Sequence, residues 1–328
     1  MSLEIIEAGL LTTVQDAGRP DWTHLGVPIG GACDRLSLAV ANLLAGNGPG
    51  AAALEMTLVG GTFRATEPLR IGLAGADLGG HVRETSRPLQ PGYAHHLAAG
   101  STIAFPGVAD VAAGARAYLA LAGGIDVPEV LGSRSTALAA AFGGVDGRAL
   151  RNGDVLGATR RLASGGNASP DAIWPADPDD LDPAAAIRVV GGPWSGVGEL
   201  VGRPWIVAAG SDRVGLRLDG DPIDLAGSPA LPSFAVVPGA IQVPPDGSPI
   251  VLLADAQTTG GYPVVAVAIA ADMPRLAQLR PGAEVSFEEV AIARATEILR
   301  QQAAAFERRA RLLRESAGWD DAWQGAGA

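Results

Sequence analysis

The sequence contains no lysine and only one cysteine, and these two shortages limit the chemistry available to the chain. All 24 basic residues among its 328 positions are arginine, which excludes a phosphate-loop lysine, a Schiff-base lysine and a lysine general base. An anion must therefore be held by arginine, by backbone N–H groups or by a partner. Cys33 stands alone, so an intrachain disulfide and a thiol-dominated metal site are excluded.

Aromatic residues, long apolar runs and positive charge are also scarce. Aromatic residues make up 5% of the chain, and no apolar run approaches the ~20 residues that cross a bilayer. The N-terminal stretch MSLEIIEAGL has an acid where a signal peptide has its basic region. The net charge of −11 argues against nucleic acid and against an anionic membrane as partners. We therefore expect a globular, cytoplasmic protein that binds neither.

Glycine and proline, by contrast, are plentiful, with 45 and 24 copies. Glycine at about twice its usual ~7% indicates many tight turns between short elements. Strand-like runs such as LEIIEAG, RAYLALAGG and PIVLLAD recur along the chain, and most of them end at Gly, Pro or Asp. This pattern favours a mainly β fold over a helical bundle.

Helical patterns are few. The stretch DRLSLAVANLLAGN predicts a helix with Asp34 as its N-cap and Gly46 as its stop, while VPEVLGS and MPRLAQL predict short helical turns. From Val290 to Arg314 apolar residues recur every three or four positions, which predicts an amphipathic helix. Its apolar stripe consists of Ile292, Ala295, Leu299, Ala303, Phe306, Ala310 and Leu313. We favour packing of this helix on its own domain over a contact with another protein chain.

Residues 158–186 lack periodicity and are rich in Pro, Asp, Ser and Gly, which is typical of a domain linker. The predicted organisation is a β-barrel-like domain over 1–157, this linker, a second β-barrel domain over 187–290, and a helix with a tail over 291–328. The similar phrases RNGDVLG and RPGAEVSF near the ends of the two domains suggest related barrels.

Several catalytic motifs are absent, namely G-x-x-x-x-G-K-[ST], H-E-x-x-H and G-x-S-x-G. His95 and His96 are adjacent, so on a strand they point to opposite faces. We therefore predict no metal site. Three other segments carry more polar groups than a turn requires.

The first two of these segments suit an anionic ligand. VQDAGRPDWTHLGVPIGGACDR combines Arg19, His24 and Asp34 with glycines that let backbone N–H groups approach a ligand before a helix N-terminus. The alternative is a structural loop with an N-cap. In GGIDVPEVLGSRST, Arg134 and Ser135 suit a carboxylate or a phosphate, and the alternative is a surface turn.

The third segment, AIQVPPDGSPIVLLADAQTTGGYP, has the densest polar chemistry. A hairpin turn at PPDGSP brings Gln242 towards the turn that follows the strand PIVLLAD. Partial burial would tune Asp255 towards general-base chemistry unless its carboxylate is paired. The alternative is an aspartate that accepts turn N–H bonds. The other candidates in this turn are Gln257, Thr258, Thr259, Gly260, Gly261 and Tyr262.

Together, in this order, the three segments resemble the biotin-dependent carboxyltransferase family, over about Ile5 to Val290. The resemblance implies two cyclophilin-like β-barrel domains and ATP-dependent opening of 5-oxoproline to glutamate, together with a Kip-inhibitor-type companion subunit and a third subunit. ATP would be bound with or by a partner. The family leaves two alternatives: carboxyl transfer onto urea or a related amide from biotin on a partner, and a non-catalytic antagonist of a kinase inhibitor. Biotin is attached through a lysine, so this chain is not its carrier.

The resemblance also implies roles for the third segment. Asp255, Gln257 and Thr258 would be catalytic, with Asp255 as the base or the residue that positions water. The N–H groups of Gly260 and Gly261 would reach the oxygen of a small amide that becomes charged on activation.

Arg19 or Arg134 would hold a carboxylate or a phosphoryl group. The sequence departs from the family pattern at Ala256, where the family commonly has His, and after GSRST, where we expect an aromatic residue. Gly31 and Cys33 stand where Ser and Met are more frequent.

Overall fold

The computed structural model describes residues 2–159, 172–175, 185–225 and 231–318. The chain groups into two units, unit 1 with Met1–Gly18, Asp34–Pro178 and Ala305–Ala328, and unit 2 with Arg19–Cys33 and Asp179–Ala304. The loop over residues 19–33 thus belongs to unit 2, although it precedes most of unit 1 in sequence. Most of the predicted linker, 158–186, lies outside the described residues.

The described part of unit 1 contains ten β-strands. They are β1 (Ser2–Glu7), β2 (Leu11–Gln15), β3 (Ala53–Thr57), β4 (Thr62–Ala65), β5 (Leu69–Gly75), β6 (His81–Val82), β7 (Tyr93–Leu97), β8 (Thr102–Ala104), β9 (Arg116–Leu121) and β10 (Val155–Gly157). One five-stranded sheet has the order β10-β1-β4-β8-β6 and the other β2-β3-β9-β5-β7. Neighbouring strands in both sheets are antiparallel.

Both sheets of unit 1 contribute to one apolar core. Ile5 and Phe63 come from the first sheet and Leu54 and Leu119 from the second, and all four are wholly buried. Burial alternates along most of β1, because successive side chains of a strand point to opposite faces. Each such side chain contributes about 1.5–3 kcal/mol relative to its exposed state.

Helix α1 (Arg35–Ala45) begins and ends where its caps dictate. The side chain of Asp34 caps its first turn, and Gly46 ends it at φ +83°, in the left-handed region that favours glycine. The helix lies so close to β5 that a Cβ on Gly72 would stand 2.0 Å from one of its carbonyl oxygens. The predicted helix is confirmed.

The described part of unit 2 also contains ten β-strands. They are β11 (Ile187–Gly191), β12 (Trp205–Val207), β13 (Gly215–Asp219), β14 (Phe234–Ala235), β15 (Ala240–Gln242), β16 (Ile250–Leu252), β17 (Thr259–Gly260), β18 (Val264–Ala268), β19 (Glu284–Val285) and β20 (Phe287–Glu289). Eight form one sheet in the order β19-β12-β13-β16-β15-β18-β11-β20, and β14 pairs with β17 in a separate ribbon. Only Ser286 separates the two edge strands of the sheet, which therefore nearly closes into a barrel.

Unit 2 combines the apolar core of this barrel with buried polar groups that have partners. Trp205 is wholly buried, and its Nε1 donates to the Leu200 carbonyl oxygen at 3.0 Å. The guanidinium of Arg188 pairs with the wholly buried carboxylate of Asp272 at 2.5 Å. This hydrogen bond is the main cause that raises the pKa of Arg188. Removing one partner of such a pair leaves a buried charge uncompensated.

The short elements test the remaining local predictions. Unit 2 carries α2 (Val197–Val201) and α3 (Met273–Gln278), so the helical turn predicted at MPRLAQL is confirmed. The one predicted at VPEVLGS is wrong, because Val130 and Ser133 form a β-bridge there. The hairpin at PPDGSP is confirmed as the β15–β16 connection. The predicted fold class, mainly β with few helices, is confirmed.

Helix α4 (Ile292–Ala317) forms the predicted amphipathic helix with a shifted face. In its first half Ile298 is buried, whereas Ile292 is 69% and Leu299 42% exposed. The second half agrees with the prediction, since Ala310 and Leu313 are buried. Among the described residues, no helix is both long enough and apolar enough to span a bilayer.

Candidate functional site

The polar turn after β16 is anchored by a buried ion pair. Arg213, 3% exposed, directs its guanidinium at Asp255, with Nε 2.8 Å from Oδ2 and Nη2 3.0 Å from Oδ1. The backbone repeats the pairing, since the Asp255 N–H donates to the Arg213 carbonyl oxygen at 3.0 Å. Both carboxylate oxygens therefore have a donor. A general-base role for Asp255 was predicted on the condition that its carboxylate is unpaired, and the structure does not meet this condition.

The same arginine links this turn to the glycine-rich loop of the first predicted segment. Its Nη2 donates to the Gly31 carbonyl oxygen at 2.7 Å, and the Gly30 N–H donates to the Ala254 carbonyl oxygen at 3.0 Å. Gly30 and Gly31 have φ of +61° and +76°, which glycine adopts at no steric cost. Two of the segments predicted to form a site therefore meet within unit 2.

A buried amide lies beneath the exposed part of the turn. Gln242 is 2% exposed. Its Nε2 donates to the Tyr262 carbonyl oxygen at 3.4 Å, and its Oε1 accepts from Gln257 Nε2 at 3.5 Å. A Cβ on Gly260 would stand 2.5 Å from the Gln242 Nε2. A larger residue at position 260 would therefore force the buried Gln242 amide to shift.

The ribbon formed by the turn fixes where its backbone donors point. Phe234 pairs with Gly260, and the Val236 N–H donates to the Thr258 carbonyl oxygen at 3.0 Å. Hydrogen-bonded and non-hydrogen-bonded pairs alternate in an antiparallel ladder, so the Gly260 N–H is directed at Phe234. The expectation that this N–H serves a substrate oxygen is therefore wrong. The same alternation turns the Thr259 N–H away from the ribbon.

The remaining groups of the turn face solvent. Gln257, Thr259 and Gly261 are exposed and Thr258 is half-buried, while Tyr262 is 45% exposed. An amide, two hydroxyls and the outward N–H of Thr259 are thus presented on one short turn. Such a set can donate to and accept from a small polar amide.

An apolar wall adjoins this polar turn. The rings of Trp194 and Phe234 lie 4.8 Å apart at an interplanar angle of 32°. They belong to an apolar cluster that includes Leu252 and Ala256, and Ala256 is 5% exposed. The departure from the family pattern at Ala256 therefore places a packing residue where a polar one is commonly found.

In unit 1, the hydroxyls of the GSRST segment are engaged locally. The Oδ1 of Asp16 accepts from the Ser133 hydroxyl at 2.6 Å, and its Oδ2 accepts from the Arg134 N–H at 2.5 Å. The hydroxyls of Ser133 and Ser135 lie 2.7 Å apart, and Ser135 is wholly buried. Asp16 thus closes this turn, and Ser135 is a structural residue of it.

The Arg134 side chain lines an open cleft of unit 1 of about 470 Å³, together with residues 126–129. Its Nε donates to the Val127 carbonyl oxygen at 3.0 Å, and its Nη1 pairs with Glu129. Part of its hydrogen-bonding capacity is therefore used within the chain. The predicted anion-binding role of Arg134 stays a prediction.

Asp34 serves as a helix cap in unit 1. It is 2% exposed, and its carboxylate accepts the N–H and the hydroxyl of Ser37 at 2.9 and 2.6 Å. Its own N–H donates to the Tyr118 hydroxyl at 2.8 Å, which donates to Glu55 at 2.7 Å. The structural alternative for Asp34 accounts for all of these contacts.

Two further candidates lie in the loop of unit 2. Arg19 is 2% exposed, and its N–H donates to the Ile29 carbonyl oxygen at 2.8 Å. His24 is exposed on a 3₁₀ helix, Pro20–Leu25. In the described part of the chain, no group of three or more His, Cys, Asp or Glu side chains could hold a metal ion.

Sequence analysis missed Arg213, the residue that joins the two segments of unit 2. It lies in the turn GSDRVG between β12 and β13, 42 positions from Asp255. A charged residue in a turn, such as Arg213, is ordinarily expected to have a solvated side chain. The one available signal was the absence of lysine, which leaves arginine as the only side chain that is always charged and could pair with a buried acid.

A near-closed barrel with a polar turn, in a chain with a second β unit, defines a mainly β protein. Residues 25–289 match the family model described as carboxyltransferase domain, subdomain A and B. The chain belongs to this carboxyltransferase domain family, and the predicted family is confirmed.

Relatives of two kinds match the chain. It is 36% identical to the C subunit of 5-oxoprolinase from Escherichia coli (strain K12), covering 93% of this chain and 96% of that protein. It is 33% identical to urea amidolyase of Lachancea kluyveri, covering 93% of this chain but 18% of that protein. The crystal structure of Kluyveromyces lactis urea carboxylase is similar with a TM-score of 0.82 and 27% identity, over 94% of this chain and 29% of that chain.

Proposed function

We propose that this chain is the C subunit of an ATP-dependent 5-oxoprolinase complex, which opens 5-oxoproline to glutamate. The observation that carries the proposal is the exposed turn at residues 257–262 above the buried Gln242. Its amide and hydroxyl groups complement a small amide that has both an N–H and a carbonyl oxygen. The match over 96% of a relative named as the C subunit of 5-oxoprolinase supports the choice of this member of the family.

The reaction adds water across the lactam bond. The carbonyl carbon gains an oxygen and becomes a carboxylate, the carbon–nitrogen bond breaks, and the nitrogen becomes the ammonium of glutamate. Gln257 and the hydroxyls of Thr258 and Thr259 orient the lactam by hydrogen bonds. The N–H of Gly261, an exposed residue, is the backbone donor for the oxygen on which charge develops. Hydrolysis of ATP to ADP and phosphate drives the opening.

Partners complete this proposal. The chain has neither a lysine nor a phosphate-loop motif, so we place ATP binding with or on a companion subunit of the Kip-inhibitor type or a third subunit. We also propose a cytoplasmic location, which the single cysteine favours because no disulfide framework is possible within the chain.

Carboxyl transfer is the second candidate function, because the family model and the urea amidolyase relative both favour it. In this candidate, biotin on a partner delivers a carboxyl group to urea or a related amide, as in a urea carboxylase and allophanate hydrolase subunit 2 system. The same turn would then hold the accepting amide. A non-catalytic antagonist of a kinase inhibitor is less favoured, because an interface core is expected to be apolar or aromatic rather than a polar turn.

The test starts from the tagged chain purified with its companions from the native host. The companions are probed for biotin, and the complex is assayed for glutamate release from 5-oxoproline with and without ATP. Biotin-free companions and ATP-dependent glutamate release support the proposal. A biotin-bearing companion with carboxylation of urea replaces it by the second candidate, and a stable complex without turnover of either substrate overturns both.

A further inference from the structure

We propose that Arg213 is a positioning residue of this site, whose buried guanidinium fixes the Asp255 turn and the Gly30–Gly31 loop in one arrangement. The geometry of the Arg213–Asp255 pair does not depend on which reaction the protein catalyses. The expected effect on turnover, however, rests on the proposed function. Asp255 then acts through this pair and not as a base.

The chemistry of the guanidinium suits this role. Nε and Nη2 of Arg213 bind the two oxygens of Asp255, and Nη2 also binds the Gly31 carbonyl oxygen at 2.7 Å. A planar fork can make these three bonds at once, whereas a lysine ammonium is a single point charge on a flexible stem. At 3% and 12% exposure, neither charge is well solvated, so each depends on the other.

The backbone of Arg213 is itself held by the barrel. The Oδ1 of Asp212 accepts the Val214 N–H at 2.8 Å, which closes the turn before β13. The Leu253 N–H donates to the Val214 carbonyl oxygen at 2.9 Å, at the end of β16. The guanidinium therefore projects from a fixed point of the sheet. Its hydrogen bonds hold the Asp255 carboxylate at a fixed position relative to that sheet.

The consequence for the site lies two residues further along the chain. Gln257 follows Asp255 after one intervening residue, and its Nε2 is directed at the buried Gln242. The start of the polar turn is thus held at two points, by the Arg213–Asp255 pair and by Gln242. Loss of the ion pair would leave Gln242 as the only side-chain anchor identified in the described turn, and the exposed donors would sample several positions.

Unit 2 contains a matched control for a merely structural ion pair. Arg188 binds Asp272, which is wholly buried, through its backbone N–H at 2.7 Å and its Nε at 2.9 Å. This pair joins β11 to the start of α3 rather than to the polar turn. Neutralising it lowers stability without moving the site.

The first arm of the test measures kcat and KM for ATP-dependent glutamate release by the assembled complex. Arg213→Gln, Arg213→Lys, Asp255→Asn and the double variant Arg213→Gln/Asp255→Asn are compared with Arg188→Gln/Asp272→Asn. We expect each single substitution to lower kcat/KM about 100-fold, as misplacement of a reacting group by about 1 Å does. The double variant should be no worse than the worse single variant, because the two residues act as a unit.

The control double variant should melt at a lower temperature and keep kcat/KM within about twofold, as expected for a change remote from the site. A loss of more than about 10³-fold in Asp255→Asn with near-normal turnover in Arg213→Gln would identify Asp255 as a base and overturn the proposal.

The second arm needs no turnover, so it separates failure of this proposal from failure of the proposed function. Hydrogen exchange is measured on the folded Arg213→Lys and Arg213→Gln proteins at the amides of Gly30 and Asp255. We expect faster exchange at both amides, with no such change in the Arg188→Gln/Asp272→Asn protein. Unchanged protection at Gly30 and Asp255 would overturn the proposal whatever the substrate.

Discussion

The GSRST segment of unit 1 and the QTTGGY turn of unit 2 have similar compositions but different uses of their polar groups. In unit 1, the hydroxyls of Ser133 and Ser135 and the carboxylate of Asp16 bind one another. In unit 2, Arg213 and Asp255 provide the anchor, and the amide of Gln257 and the hydroxyl-bearing Thr259 that follow remain exposed. In the proposed site, the anchoring is thus done by residues other than those that stay exposed.

This difference explains why polar density alone is an incomplete guide to function. A carboxylate, a hydroxyl and a backbone N–H can satisfy one another within a turn, and they then have little capacity left for a ligand. Exposed donors with a buried support, as with Gln257 above Gln242, keep that capacity. Substitutions in each region therefore test the contrast between them.

The largest expected effect is on turnover when the exposed amide is removed. Gln257→Ala should lower kcat/KM for glutamate release by about 100-fold, comparable to loss of one preorganised donor. Steady-state kinetics of the assembled complex measure this loss. Gln301→Ala, a glutamine on the outer side of α4, is the matched control and should leave kcat/KM unchanged. Equal values for the two variants would remove the turn from the site.

A smaller effect is expected from Gly260→Ala. Its Cβ would meet the buried Gln242 Nε2 at 2.5 Å, so the amide and the turn must separate. We expect a loss of about 10-fold in kcat/KM and of about 1–3 kcal/mol in the free energy of unfolding, typical of overpacking. Gly198→Ala, in unit 2 with no atom near the new methyl group, controls for the change of residue type. A fully active Gly260→Ala protein would contradict the packing of Gln242 against the turn.

In unit 1 the effect should be on stability alone. Asp34→Ala removes the cap of α1 and should lower the free energy of unfolding by about 1 kcal/mol. Denaturant unfolding measures this change, and kcat/KM of the assembled complex should stay within about twofold, since the cap bonds run to Ser37 in the first turn of the helix. Asp34→Asn, which can still accept the cap bond, should recover most of the stability. A large loss of turnover in a folded Asp34→Ala protein would make Asp34 a ligand-binding residue after all.

The smallest effect concerns pH and unit 1. Hydrogen bonds from Arg148 are the main cause that lowers the pKa of Asp154. The unfolded chain therefore binds more protons than the folded one near pH 4, and this contribution to stability is present above that pH and is lost as pH falls through the folded pKa. Asp154→Asn should lose about 1 kcal/mol at pH 7 and less at pH 3.

Melting temperatures from pH 7 to pH 3 measure the difference between this variant and the wild type. Asp146→Asn is the control, because Asp146 is 85% exposed and stands 3.9 Å from the same guanidinium. An Asp154→Asn deficit that is as large at pH 3 as at pH 7 would contradict the role of the ion pair.

Local rules predicted much of the fold. Asp34 and Gly46 set the bounds of α1, and the PPDGSP hairpin forms where its turn residues require it, because these choices depend on neighbours in sequence. Helix α4 shows the limit of such rules. Leu299, predicted for its apolar stripe, is exposed, and its neighbour Ile298 is buried, because tertiary packing, not periodicity, decides which side of an apolar face is covered.

The site was predictable in part for the same reason. The polar turn is continuous in sequence, so its residues could be found together. Arg213 could not, because its pairing with Asp255 depends on barrel register over 42 positions. The direction of the Gly260 N–H likewise follows from its pairing with Phe234 in β14. The sequence analysis did not predict this short strand.

Hydrogen exchange of the assembled complex with and without 5-oxoproline tests most directly whether the substrate binds at the polar turn of unit 2. We expect slower exchange at the amides of Thr259 and Gly261 when the substrate is added, with no change at Arg134 and Ser135. Protection of the Arg134–Ser135 segment with none at the turn would contradict the account, because it would place the substrate on the region whose polar groups are already engaged.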